Sequence, residues 1–318
     1  VPPPSSALDV IALGQIARDL AVLVDALPGP HGTTPVRERR EMLGGKGANQ
    51  AVAMAQLGLR PGMVGVVGDD AVADRLLEQL ACDGVAGTWV TRRPGAATGL
   101  VVDVVDCGRS WRYLEDLPPE VLLGEADLTA AADALADVQT VVIQLQQPAP
   151  VALTAARMAR RGATTVVLDG APQDPRLRPA LLAEADVLRA DHREAELLAG
   201  RPLRGADDTV RAARELLECG PGLVVLDAGQ EGNVLVWDGG EVVVPLADVV
   251  VVDTTGGGDA FVAGLVAGLA CGAGPEQAGR LATAAAASTV RRLGGRPHLT
   301  PVGVVEQLAR MQGRAWHT

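Results

Sequence analysis

"VVVVDTTGGGDAFVAGLVAGLA", residues 249–270, is the stretch on which the fold turns. A run of β-branched residues stops at Asp253, three glycines follow two threonines, and Asp259 opens a segment of small apolar residues. The pattern predicts a buried strand, a tight turn and a helix. In open α/β folds such a turn lies at the carboxyl edge of the sheet, where ligands bind. Gly256, Gly257 and Gly258 lack Cβ atoms, so an anion can approach their N–H groups closely, and the helix N-terminus favours negative charge. Asp259 would repel that anion if it only capped the helix. Facing an incoming hydroxyl, it could instead take the proton as oxygen attacks phosphorus. The same letters also suit a Gly-rich turn with an acidic helix start and no chemistry.

Outward from this stretch, apolar β-rich runs alternate with helical patterns. Strands are predicted at 8–14, 62–67, 138–145, 163–169, 185–188 and 222–227. Helices are predicted at 46–58, 70–81, 149–161, 192–199, 206–218, 257–271 and 275–292. That alternation implies an α/β fold: a doubly wound, mostly parallel sheet flanked by helices. Residues 18–43 and 96–115 break the rhythm with short alternating strands and turn signals, "CGRS" at 107–110 among them. They predict a small antiparallel β lid inserted in a single domain covering 1–318.

Composition narrows the partners. The net charge of −11 argues against nucleic acid or an anionic membrane, and four tryptophans, one tyrosine and one phenylalanine are too few for base stacking. Cys82, Cys107, Cys219 and Cys271 have no CxxC spacing and read as buried thiols of a reducing compartment. The opening "VPPPSS" has no basic-plus-apolar leader, and no run approaches the roughly 18 apolar residues of a membrane span. A cytoplasmic protein is the expectation.

Neither common nucleotide fingerprint is present. "ALGQIARDL" after the first strand lacks GxGxxG, and Lys46 is followed by Gly47 where a P-loop needs Ser or Thr. A second glycine-rich loop, "MLGGKGANQAVAMAQLG" (42–58), holds the chain's one lysine. Gly44 and Gly45 open the backbone to a ligand, Lys46 adds a point charge, and Asn49 is both donor and acceptor. Asp19, after the first strand, can accept two hydroxyl protons. The mixture suits a polyhydroxy ligand.

The two loops together resemble the signatures of the ribokinase-like (PfkB) carbohydrate kinases, a GGKGAN-type loop and a DTxGAGD loop, here "DTTGGGD". The resemblance extends over nearly the whole chain and implies an ATP- and Mg²⁺-dependent sugar kinase. It implies that Asp259 is the catalytic base, with Gly256, Gly257 and Gly258 as anion hole. Gly257 replaces a usual alanine. Asp19, Gly45, Lys46 and Asn49 would hold the sugar. "DHREAELLAG" (191–200) is similar to the family's NxxE stretch, with Asp191 for asparagine and Glu194 serving magnesium indirectly. Asp227, Gly229 and Gly232 of "DAGQEG", with Thr283, would lie at ATP. A monovalent-cation (K⁺) site would use Asp253, Thr255, Thr289, Arg292 and Gly294, with His298 where a serine is usual. Two sugar positions depart from ribokinases: Ala17 stands for an asparagine and Gln146 for a glutamate. The resemblance also implies a homodimer through the lid. A nucleoside kinase and a non-catalytic sugar or nucleotide sensor are the alternatives.

Overall fold

The structure, a computed structural model, describes residues 8–108 and 111–314. The chain runs β1 (Val10–Leu13), β2 (Ala17–Val24), β3 (Val36–Gly44), α1 (Lys46–Gln56), β4 (Pro61–Gly68), α2 (Ala71–Cys82), β5 (Ala86–Arg93), β6 (Leu100–Asp106) and β7 (Trp111–Asp116). It continues through α3 (Glu125–Thr129), α4 (Ala132–Asp137), β8 (Thr140–Gln144), α5 (Ala149–Ala159), β9 (Thr165–Asp169), α6 (Arg178–Ala183), β10 (Val187–Ala190), α7 (His192–Ala199) and α8 (Gly205–Leu217). β11 (Leu223–Asp227), β12 (Asn233–Trp237), β13 (Gly240–Val244), α9 (Gly257–Ala270), α10 (Pro275–Thr289) and α11 (Pro301–Arg314) complete it.

Nine strands form the main sheet in the order β13-β12-β11-β10-β9-β8-β1-β4-β5, antiparallel only at β11–β12 and β12–β13. From β1 the connections lead one way to β4 and β5 and the other way to β8 and beyond. The topological switch point therefore lies between β1 and β8, and a ligand crevice is expected outside their carboxyl ends. Valine, isoleucine and leucine fill strands buried on both faces; β4 is buried along its whole length. One core packs α3 to α8 against the sheet, and the other packs α1, α2, α9, α10 and α11 against the opposite face.

The lid is a separate four-stranded sheet, β3-β2-β6-β7. Its outer pairs, β2–β3 and β6–β7, are antiparallel hairpin pairs, and its central pair, β2–β6, is parallel. Period-two alternation sorts its side chains. Asp19, Ala21, Asp103 and Val105 are buried on the inner face, where Ala21 and Val105 pack with Leu293. Leu20, Val22, Val102 and Val104 are half-exposed on the outer face, with Leu114 exposed beside them. The turn expected at 107–110 includes residues 109–110, which lie outside the described residues.

Two expectations are corrected. No strand precedes the glycine loop: β13 ends at Val244, and 245–253 is extended but unpaired in any sheet, with Val250 70% exposed. The valines there have strand propensity without a neighbouring edge to pair with. The segment is held by Val252 N–H donating to the Val290 carbonyl at 2.8 Å. The four cysteines are also free and exposed, because each sits at or just past the end of an element. No helix among the described residues is long and apolar enough to cross a membrane.

Candidate active site

Asp259 lies in the first turn of α9, 6% exposed. The turn before it depends on Gly256, whose φ is 72° and whose Cβ, were there one, would fall 1.9 Å from the Gly295 carbonyl oxygen. Of the three glycines expected to form the anion hole, Gly257 turns its N–H to the Thr254 carbonyl at 3.2 Å. The Gly258 and Asp259 amides, orphan donors of the first helical turn, take no main-chain acceptor among the described residues.

The loop at 44–50 meets this helix across the core. Asn49 Nδ2 donates to one Asp259 oxygen at 3.3 Å, and Gln50 Nε2 donates to the other at 3.2 Å. Burial, with the charge of Asp169 added to it, raises the Asp259 carboxyl to about 6 against the opposing effects of Lys46, the Asn49 hydrogen bond and Arg189. Gly44 is a glycine because the Asp19 side chain fills the space: a Cβ there would fall 1.9 Å from Asp19 Cγ.

Three participants escaped the sequence reading. Gln50 Nε2 also donates to Asp169 at 2.7 Å, and Arg189 Nη1 donates to the other Asp169 oxygen at 2.9 Å. Arg189 Nη2 comes within 2.9 Å of where a Cβ on Gly258 would stand, which sets a guanidinium beside the helix N-terminus. Asp169 and Arg189 sit at or next to the carboxyl ends of β9 and β10. A charged residue inside "VLRAD", and one closing "TVVLD", were the available signals.

Lys46 opens α1 directly after the glycine loop. Its ammonium pairs with Glu194 at 3.2 Å. Burial opposes its charge, but Asp169, Glu194 and Asp259 outweigh that and raise its pKa. Glu194 is itself anchored: it forms a capping box with Asp191, accepting from the Asp191 amide at 2.9 Å while Asp191 accepts from the Glu194 amide at 2.8 Å.

On the lid side, burial lifts Asp19 to about 8, with the charges of Asp259, Asp103 and Asp253 adding to it and the Gly45 amide opposing. Thr255 links lid to loop: its hydroxyl donates to Asp103 at 2.8 Å and lies 2.6 Å from the Tyr113 hydroxyl. Ala17 is fully buried at the start of β2. Gln146 is half-buried and its carbonyl accepts from Gln173 at 3.4 Å, while Gln144 is fully buried beneath Gly14 and Gly47. Both amide atoms of Gln144 lack partners among the described residues.

At the other end of the crevice Asp227 closes β11, raised by burial and opposed by the Gly229 amide, which donates to it at 2.7 Å. Gly232 ends the same loop, its carbonyl accepting from Ala228 at 2.8 Å. Thr283 is buried in α10, and its hydroxyl bonds back to the Gly279 carbonyl. Asp253 accepts from the Thr255 and Gly294 amides at 2.9 and 2.7 Å. Thr289 likewise bonds back within α10, to Ala285, and Arg292 is exposed. Of the residues expected at a cation, Asp253, Thr255 and Gly294 meet directly through these hydrogen bonds.

The family model for pfkB family carbohydrate kinases matches residues 7–301. The chain is 30% identical to the deoxyribokinase of Salmonella typhi over 255 residues, 80% of this chain and 83% of that one. It is 33% identical to the 1-phosphofructokinase of Rhodobacter capsulatus over 278 residues, 84% of this chain and 85% of that one. The Arabidopsis thaliana ribokinase complexed with ribose and ATP superposes with a TM-score of 0.79 at 25% identity, covering 95% of this chain and 99% of that one. The chain is a member of the pfkB family of carbohydrate kinases, phosphotransferases with an alcohol group as acceptor.

Proposed function

We propose that the protein transfers the terminal phosphoryl group of ATP to a hydroxyl of ribose or a related pentose or hexose, with Asp259 as general base. The observation that carries this reading is the meeting of Asp259 with Asn49 and Gln50 at the mouth of α9. A carboxyl near 6 is mostly ionised at neutral pH yet basic enough to take a proton from an attacking hydroxyl. The Gly258 and Asp259 amides and the Arg189 guanidinium supply donors where charge develops on the phosphoryl oxygens. ATP lies along the carboxyl edge past Asp191, Asp227, Gly229 and Gly232. Thr283 lines the purine side with its methyl group and main chain, since its hydroxyl is already bonded.

The residues fit the two ions the reaction class calls for. Bound magnesium would supply charge that neutralises the nucleotide phosphates. Both Glu194 oxygens are engaged, with Lys46 and with the Asp191 amide, so Glu194 orients that ion's surroundings without binding it directly. A potassium ion suits the corner of Asp253, Thr255 and Gly294, where no lysine or arginine forms an ion pair with Asp253 among the described residues. The half-exposed apolar outer face of the lid sheet supports a homodimer through the lid.

An ADP-release assay with ribose, 2-deoxyribose, fructose and adenosine tests the reaction. Asp259→Asn is expected to lower kcat by about 10²- to 10⁴-fold with little change in ATP affinity. Near-normal turnover would remove Asp259 as base. Adenosine as best acceptor would move the protein to the nucleoside kinases.

A further inference from the structure

Resting on the kinase reading, we infer that Asp103, from the lid strand β6, is a second sugar-binding carboxylate and restricts the acceptor to an unphosphorylated polyol. The inner face of the lid sheet decides this. Asp19 pairs with Val101 and Ala21 with Asp103, so both aspartates project from neighbouring strands to the same side. Tyr113, opposite Asp103 on β7, shares that side. Asp19 is 8% exposed and Asp103 3%, and the Oδ1 atom of each lacks a hydrogen-bond partner.

Buried carboxylate oxygens left without donors are costly, and the site becomes favourable when a ligand brings donors to them. Neighbouring hydroxyls of a sugar do so: one donates to Asp19 on β2 and another to Asp103 on the adjacent β6. A phosphate ester brings only more acceptors and two negative charges. The charged groups it would meet are Asp19, Asp103, Asp253 and Asp259. Of the lid's cations, Arg18 and Arg112 face outward by strand alternation. Arg40 shares the inner face but is two strands from Asp103 and is paired with Glu38 at 2.7 Å. Lys46 and Arg189 are paired with Glu194 and Asp169.

This discriminates where kinship does not, since the relatives include both a deoxyribokinase and a 1-phosphofructokinase. The site takes the unphosphorylated kind. Thr255 holds the second Asp103 oxygen and the Asp253 carboxyl lies beside it, so Oδ1 has no donor among the described residues.

The test compares kcat/KM for ribose, 2-deoxyribose, fructose and adenosine with that for fructose 1-phosphate and fructose 6-phosphate. An unphosphorylated acceptor is expected to lead; a sugar phosphate as best acceptor overturns the inference while leaving the kinase reading intact. Asp103→Leu should raise the acceptor KM about 10- to 100-fold, as loss of a charge-assisted hydrogen bond does, with KM for ATP unchanged and Asp103→Asn between. An unaltered acceptor KM overturns it. If no acceptor yields ADP, the kinase reading fails, and calorimetry decides the inference separately. Binding of an unphosphorylated sugar that Asp103→Leu abolishes upholds the site. Binding that survives the substitution, or no binding by any of these sugars, refutes it.

Discussion

Arg189 in β10 stands between Val225 of β11 and Asp169 of β9, and it is 6% exposed. A guanidinium so buried persists because Asp169 neutralises it and the Phe261 ring lies 5.7 Å from its carbon. Arg189→Met strands the Asp169 charge and is expected to lower unfolding stability by about 3–5 kcal/mol in a urea titration. The double variant Arg189→Met, Asp169→Leu should recover much of that loss but not phosphoryl transfer. Full activity in the stable double variant would show the pair to be structural only. Asp259 has its own signature. Its carboxyl is raised from 3.8 to about 6, chiefly by burial, so the base is lost by protonation as pH falls through that value. The acidic limb of the kcat/KM profile should therefore bend near pH 6, with unit slope below it; a bend near 4 would mean that the titrating base is a more solvated carboxylate.

α9 is the element on which the site hangs. It is buried on nearly every side, so its sequence has little amphipathic character and its position is set by close contact with neighbours. Gly264 and Gly268 bring it against α10: a Cβ on Gly264 would fall 2.8 Å from the Ala282 Cα, and one on Gly268 3.0 Å from the Ala278 Cα. These are main-chain collisions that no rotamer relieves. Gly264→Ala is expected to cost about 1–3 kcal/mol by overpacking, read by chemical denaturation. Because the helix can yield only by sliding, Asp259 should move relative to Asn49 and kcat should fall as well. A stabilised variant, as the better helix propensity of alanine alone would give, would contradict this packing account.

The whole molecule is two sheets, joined by hydrogen bonds and by the packing of Ala21 and Val105 on Leu293. The lid reaches the catalytic loop through Thr255, shared by Asp103 and Tyr113, so closure and the anion loop are mechanically connected. The opposite face of the lid sheet presents Leu20, Val22, Val102, Val104 and Leu114, the last 65% exposed. An apolar sheet face of this kind is better covered than wet. Leu114→Asp is expected to shift sedimentation from dimer toward monomer without changing the fold seen by circular dichroism. A wild-type chain that sediments as a monomer at micromolar concentration would remove the lid-to-lid dimer.

Much of this was legible in the letters because local physics writes it there. Glycines at 44, 45 and 256–258, one lysine and two aspartates announce an anion loop and a polyol site whatever surrounds them, and alternating strand and helix patterns announce a parallel sheet. The sequence by itself determined the family and the fold class with its small lid sheet, and it singled out Asp259 as the candidate base. Only the tertiary structure decided who meets whom. It brought Gln50, Asp169 and Arg189 into the site, gave Lys46 to Glu194, left 245–253 without a strand partner, and turned Asp103 from a strand residue into a ligand candidate. The physical reason is range. Propensity and periodicity act within a few residues, whereas the charge balance of a buried cluster is fixed by side chains far apart in sequence, which only folding brings together.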